Sequence, residues 1–238
     1  MSIAIPNLNR LPAAERGITI ADFLVPIRLG ERLSARARHA ALVVAGAIVV
    51  ALCAQLEIVQ QGQTIPLIAD FRLQLASTPV PITGQTFGVL LVGGALGLRR
   101  GALSLGLYLL AGLILPVYAG GASGFDHLVR QDEAGAWVLG ATGGYLIGFV
   151  VAAALVGWLA ELGWDRRLLG AIAAMVIGSV VIYVVGAVWL AVALAVDVPT
   201  AIALGVTPFL IVDALKLALA AVFFPAAWWV VGHRPGER

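Results

Sequence analysis

Between residues 39 and 232 the sequence is divided into six long apolar runs, each close to the length that crosses a bilayer. They are 39–56, 73–98, 101–118, 137–160, 168–196 and 200–232, and charge enters only the last, as Asp213 and Lys216. A spanning helix needs about 20 apolar residues. Backbone N–H and C=O groups find no water in hydrocarbon, so only helices or closed barrels satisfy them there. The runs do not alternate with the period of two that barrel strands require. The expectation is an all-α membrane protein with six transmembrane helices. Composition agrees: 61% of residues are hydrophobic and 12% charged, and mean hydropathy is +1.00. Soluble domains are nearer half apolar and a quarter charged.

Arginine placement gives the orientation. With six spans, the N-terminal tail, the 99–100 turn, the 161–167 turn and the C-terminus share one side. They hold Arg10, Arg16, Arg28, Arg32, Arg36, Arg38, Arg99, Arg100, Arg166, Arg167, Arg234 and Arg238. The other side holds Arg72 and Arg130. Cytoplasmic loops carry the excess of cations, so both termini are expected in the cytoplasm. Residues 1–38 form an Arg-rich tail without the apolar stretch of a secretory signal. That tail reads equally as a membrane-surface segment or as a disordered basic arm.

Prolines and glycines refine the runs. Pro79 and Pro81 put an irregular lead-in before a second helix starting near Ile82. The third run ends near Pro116, and Pro208 kinks or starts the last helix. Ala41/Ala45, Ala47/Ala51, Gly93/Gly97 and the stripe Gly140/Gly144/Gly148/Ala152 are spaced for close helix contact. The outer connections, 57–81 and 119–136, are long, as a ligand mouth or lid would be.

Asp213 and Lys216 carry the chemistry. Lys216 is the chain's one lysine; the other fourteen cations are arginines. At i and i+3 the two groups share a helix face. An isolated charge at mid-bilayer costs roughly 3 kcal/mol or more, and pairing lowers that cost. Such a pair offers donors and acceptors together, suited to a cyclic urea, an amide or a zwitterion; a purely structural ion pair is the plainer reading. Gln74, Thr78, Thr83, Gln85 and Thr86 cluster around the start of the second span. The glycines of "YAGGASGF" (118–125) and "GATGGY" (140–145) bring backbone N–H groups near a ligand. Walker A, HExxH and GxSxG motifs are missing, which argues against an enzyme. Cys53 is the sole cysteine, and His39, His127 and His233 lack metal-ligand spacing.

Three stretches then point to a family. "PVPITGQTFGVLLVGGALGLRRGALSLGLYLLAGLILPVYAGG" (79–121), "GATGGYLIGF" (140–149) and "GVTPFLIVDALKL" (205–217) resemble the BioY family of biotin transporters. The shared features, in order, are a Pro-Val-Pro-x-Thr-x-Gln run, an Arg-Arg-Gly turn, a Gly-Gly loop, a Thr-Gly-Gly-Tyr motif and Asp-x-x-Lys. The resemblance implies the biotin-binding S component of an energy-coupling-factor transporter in a bacterial cytoplasmic membrane. Its partners would be a membrane T subunit and a pair of ATPases; neither cofactor, metal nor nucleic acid is expected. It places Asp213 and Lys216 at the ureido head of biotin. Gln85, Gly120, Gly121, Ser123 and Tyr145 become further contacts. It also divides the chain into a tail (1–38), a six-helix domain (39–232) and a short C-terminal tail (233–238).

The sequence departs from the family pattern in places. Ala141 stands where the family has proline, and Ile211 and Val212 replace Pro-Gly before the aspartate. The insert "FDHLVRQDEAGA" (125–136) has no family counterpart, and its Arg130 reads as a solvated residue or, second, as a carboxylate contact. Two rivals to the S-component reading remain: a self-sufficient proton-coupled biotin carrier, and an assembly protein in which the pair is helix glue.

Overall fold

A computed structural model describes residues 19–24, 34–59, 64–68, 71–74 and 78–232. Most of the basic tail, residues 60–63, 69–70 and 75–77 of the 57–81 loop, and the Gln74 side chain therefore lie outside the described residues. Helices dominate: α1 (Ile20–Leu24), α2 (Ala35–Ala54), α3 (Gln85–Gly112), α4 (Gly143–Glu161), α5 (Leu168–Leu194), α6 (Val198–Gly205) and α7 (Leu210–Gly232). Five helical stretches are long and apolar enough to cross a membrane. The strands form three small antiparallel pairs: β1 (Glu57–Val59) with β4 (Ile82–Thr83), β2 (Thr64–Ile68) with β3 (Phe71–Gln74), and β5 (Val129–Gln131) with β6 (Trp137–Leu139).

The 28-residue helix α3 is not one rod. At Gly97 the backbone leaves the helical region, with φ 83° and ψ 178°. Gln85 Nε2 donates to Tyr108 Oη at 2.7 Å across 23 positions. A continuous helix would separate those positions by about 35 Å. A Cβ on Gly101 would come within 3.1 Å of the Gly93 Cα. The element is thus a hairpin of two antiparallel arms, one for each of the second and third expected spans. Gly97 is required at its tip, because this φ/ψ region is essentially closed to residues with a side chain. Glu161, ending α4, closes the tip by accepting from the Leu98 N–H at 2.9 Å.

The hairpin is the centre of the bundle. It packs against α2 on one side and α4 on the other; α4 packs on α5, α5 on α7, and α7 returns to α3. Small residues permit these approaches. A Cβ at Gly93 would strike the Ala153 backbone, and one at Gly157 the Gly97 backbone. Gly144 and Gly148 face Trp189 and Ile182 of α5. The glycine stripes therefore join helices within the chain. Ala41 and Ala45 instead lie on an exposed face of α2.

Three boundaries differ from the sequence reading. The second helix starts at Gln85, not Ile82, because Ile82–Thr83 pairs with β1. The third ends at Gly112, where the Tyr118 ring occupies the space a Cβ would need. The last run is two helices joined by a 3₁₀ turn at Thr207–Phe209, since Pro208 cannot donate inside a helix. Asp197 caps the first of them through the Thr200 N–H at 3.2 Å.

The short helix α1 docks at the arginine-rich end of the bundle. Ile20 (2% exposed) enters a cluster with Leu90, Val156, Met175 and Phe224. Asp22 pairs with Arg100 at 2.8 Å, and Phe23 meets the Trp228 ring edge-on at 5.7 Å. Burial pushes the Asp22 carboxyl up, but the Thr19 N–H and the Arg100 guanidinium outweigh it and hold it below its ordinary value.

Gly97→Ala should lower stability by about 2 kcal/mol or more, through backbone strain and the clash with Glu161 Oε1; chemical denaturation in detergent measures it. Because Asp22 titrates lower folded than unfolded, its stabilisation is present above about pH 4 and lost as pH falls below that. Asp22→Asn should therefore melt below the parent at pH 7, and the gap should narrow progressively as pH falls below about 4.

Candidate functional site

The polar residues of the last span meet the start of the hairpin. Asp213 and Lys216 lie one turn apart on the inward face of α7, each only 6% exposed. Lys216 Nζ lies 2.6 Å from Asp213 Oδ1. It also donates to the Thr83 carbonyl at 2.5 Å and to Thr86 Oγ1 at 3.2 Å. All three ammonium protons are thereby used. Asp213 Oδ1 further accepts from Thr86 Oγ1 at 2.9 Å, and Oδ2 accepts from Tyr183 Oη of α5 at 2.7 Å. An ionised carboxylate offers about four lone-pair sites. Three are filled, and the vacant one is on Oδ2. Desolvation of the charges is thus balanced by a nearly complete set of hydrogen bonds, the condition under which a buried pair persists.

Lys216 of the pair lines a cavity of about 630 Å³, open mouth included, and Asp213 sits behind it, held by Lys216, Thr86 and Tyr183, which do line it. Lys216, Thr83 and Thr86 form its polar wall; Tyr145, Phe149, Ile182 and Phe209 form largely apolar walls. Gln85 is buried in the lining between Thr83 and Tyr108: Oε1 accepts from Thr83 Oγ1 at 2.9 Å while Nε2 binds Tyr108. Tyr145 stacks near Phe209, with ring centroids 6.4 Å apart, and donates to the Gly205 carbonyl at 2.7 Å. Tyr118 and His127 complete the lining from the 113–142 connection, with the His127 ring edge-on to Tyr118 at 5.0 Å. Most of the wall is aromatic or aliphatic and a few convergent groups are polar, the usual make-up of a small-molecule site.

The structure brings Asp213, Lys216, Gln85 and Tyr145 together here. Gly120, Gly121 and Ser123 are exposed on the loop, and that segment reaches the cavity through Tyr118 and Ala119. Arg130 is exposed on the β5–β6 hairpin and is not among the lining residues. Sequence reasoning passed over Tyr118, Tyr183, His127 and Thr142. A signal existed for the phenols: the chain has four tyrosines, and three line the cavity while Tyr108 braces Gln85.

With this geometry in place, similarity to known proteins can be read. The BioY family model matches residues 29–233. The chain belongs to the BioY family. A probable biotin transporter BioY of Pyrococcus horikoshii is 36% identical over 152 residues, covering 63% of this chain and 82% of that protein. The biotin transporter BioY of Thermotoga maritima is 37% identical over 160 residues, covering 67% and 87%. The crystal structure of the S-component for biotin from an ECF-type ABC transporter superposes with a TM-score of 0.63 at 23% identity. That match spans 83% of this chain and 95% of the other, and shows a common fold. This BioY chain is a multi-pass membrane protein of a transporter family.

Removing one member of the pair leaves the other as an uncompensated buried charge, which costs about 3–5 kcal/mol. In this BioY protein, Lys216→Met alone should destabilise more than Lys216→Met combined with Asp213→Leu. A double-mutant cycle on unfolding free energy measures the coupling.

Proposed function

We propose that this chain captures biotin from outside the cell as the S component of an energy-coupling-factor transporter. The observation that carries the reading is Lys216, paired with Asp213, lining an aromatic-walled cavity in a BioY chain. The relatives are biotin transporters by name, and the structural neighbour is an S-component for biotin. In our reading the ureido head lies against the pair. The vacant lone pair on Asp213 Oδ2 accepts a ureido N–H. Lys216 donates to the ureido carbonyl, which replaces Thr86 as an acceptor. The thioether ring packs on Tyr145, Phe149 and Phe209, and Gln85 holds the floor through Thr83. Gly120, Gly121 and Ser123 belong to the mouth, where they meet the ligand only if the loop closes over it.

The same reading sets the topology. The two arms of α3 count as separate passes, giving six with the arginine-rich end and both termini in the cytoplasm of a bacterial inner membrane. Residues 39–232 form the transport domain, and 1–38 and 233–238 are cytoplasmic tails. The T subunit docks on the exposed small-residue face of α2 at Ala41 and Ala45, and a pair of ATPases drives the cycle. The chain itself performs no catalysis.

Calorimetric titration of the purified protein with biotin tests the site. The parent should bind in the nanomolar range. Asp213→Asn and Lys216→Met, in samples shown to be folded, should each bind at least tenfold more weakly, a loss of about 1.4 kcal/mol. A folded parent without affinity for biotin would overturn the assignment.

A further inference from the structure

Hydrogen-bond accounting around the cavity leaves one lining side chain with an uncommitted ring nitrogen. Tyr118 Oη is spent on the Leu109 carbonyl at 2.6 Å, and Tyr145 Oη on Gly205. Both ends of the Gln85 amide are used, by Thr83 and Tyr108. Tyr183 holds Asp213, and Lys216 has no proton to spare without surrendering a partner. His127 is different. Its Nδ1 faces Thr142 Oγ1 at 3.0 Å, and Nε2 has no hydrogen-bond partner among the described residues.

His127 is also firmly placed. It ends the 3₁₀ turn Phe125–His127, and the next residue, Leu128, accepts from the Gly140 N–H at 2.9 Å. Its ring rests edge-on against Tyr118, which in turn meets Tyr108 edge-on at 5.7 Å. A chain of contacts therefore runs from Lys216 through Thr83, Gln85, Tyr108 behind the lining and Tyr118 to His127. One end of the lining carries the paired Lys216 and the other an imidazole. Burial holds the imidazole below its ordinary range, which keeps it neutral near pH 7. When the Thr142 hydroxyl donates to Nδ1, the neutral ring carries its proton on Nε2 and is a donor.

From this juxtaposition we infer that His127, held by Thr142, binds the carboxylate end of the ligand whose ureido head lies at Asp213–Lys216. The inference rests on the biotin reading. It assigns the acid-recognition role to the 125–136 segment, and within it to His127 instead of the exposed Arg130.

The test compares biotin with biotin amide, in which the carboxylate is replaced by an uncharged carboxamide. Calorimetric titrations of the purified full chain are run on the parent, His127→Ala and His127→Phe. The phenylalanine keeps a ring against Tyr118 and removes the nitrogen, so it guards against a variant that merely fails to fold. Both variants should bind biotin at least tenfold more weakly than the parent while their affinity for the amide stays within about twofold. Equal loss for both ligands, or undiminished biotin binding by His127→Phe, would overturn the inference and leave the biotin reading intact. A folded parent that binds neither compound would overturn both.

Discussion

The ion pair of Asp213 and Lys216 is the contact on which the rest of this site depends. Two charges in an apolar span survive only if every proton and nearly every lone pair finds a partner. Those partners come from four elements: Thr83 from β4, Thr86 from the head of α3, Tyr183 from α5, and the pair itself on α7. The network thus fixes three helices relative to one another at the level of the cavity. It also fixes what the cavity can recognise, since a ligand has to fit into an almost saturated set of hydrogen bonds. One open lone pair and one exchangeable acceptor make a narrow specification, and the proposed biotin reading is built on it.

The hairpin at Gly97 provides the second constraint. Folding α3 back on itself carries Tyr108 up to Gln85, and so lets the second arm brace the floor of the cavity. Glu161 and the docked segment Thr19–Leu24 secure the opposite end, where Arg100 meets Asp22. The two ends of the bundle are therefore built differently. One is pinned by the Asp22–Arg100 ion pair and the Phe23–Trp228 edge contact, and the other is opened into a cavity walled by tyrosines.

Much of this was legible in the chain. The apolar runs announced the spans, because hydrocarbon enforces helices regardless of what they pack against. The spacing of Asp213 and Lys216 put both on one face of a helix, and the structure keeps them there in contact. Gln85 and Tyr145 were legible through the family motifs that contain them. The loop residues Gly120, Gly121 and Ser123 belong to an equally clear motif, yet they lie exposed and the cavity is reached by their neighbours Tyr118 and Ala119. A motif marks a segment; which of its residues points inward is set by the backbone turn, here a 3₁₀ turn with Gly120 at φ 64°.

By itself the sequence determined the class of protein, the number and order of apolar runs, the charge asymmetry of the two faces and the local pairing of Asp213 with Lys216. These follow from interactions short in sequence or from the solvent alone. Only the tertiary structure decided that Tyr183 completes the carboxylate's shell from 30 residues away. It alone placed Tyr108 beside Gln85 and brought His127 of the 125–136 segment into the cavity wall. Such contacts depend on how helices cross and where a loop returns. That is governed by small-residue packing at Gly93, Gly144 and Gly157, whose partners no single run of sequence specifies.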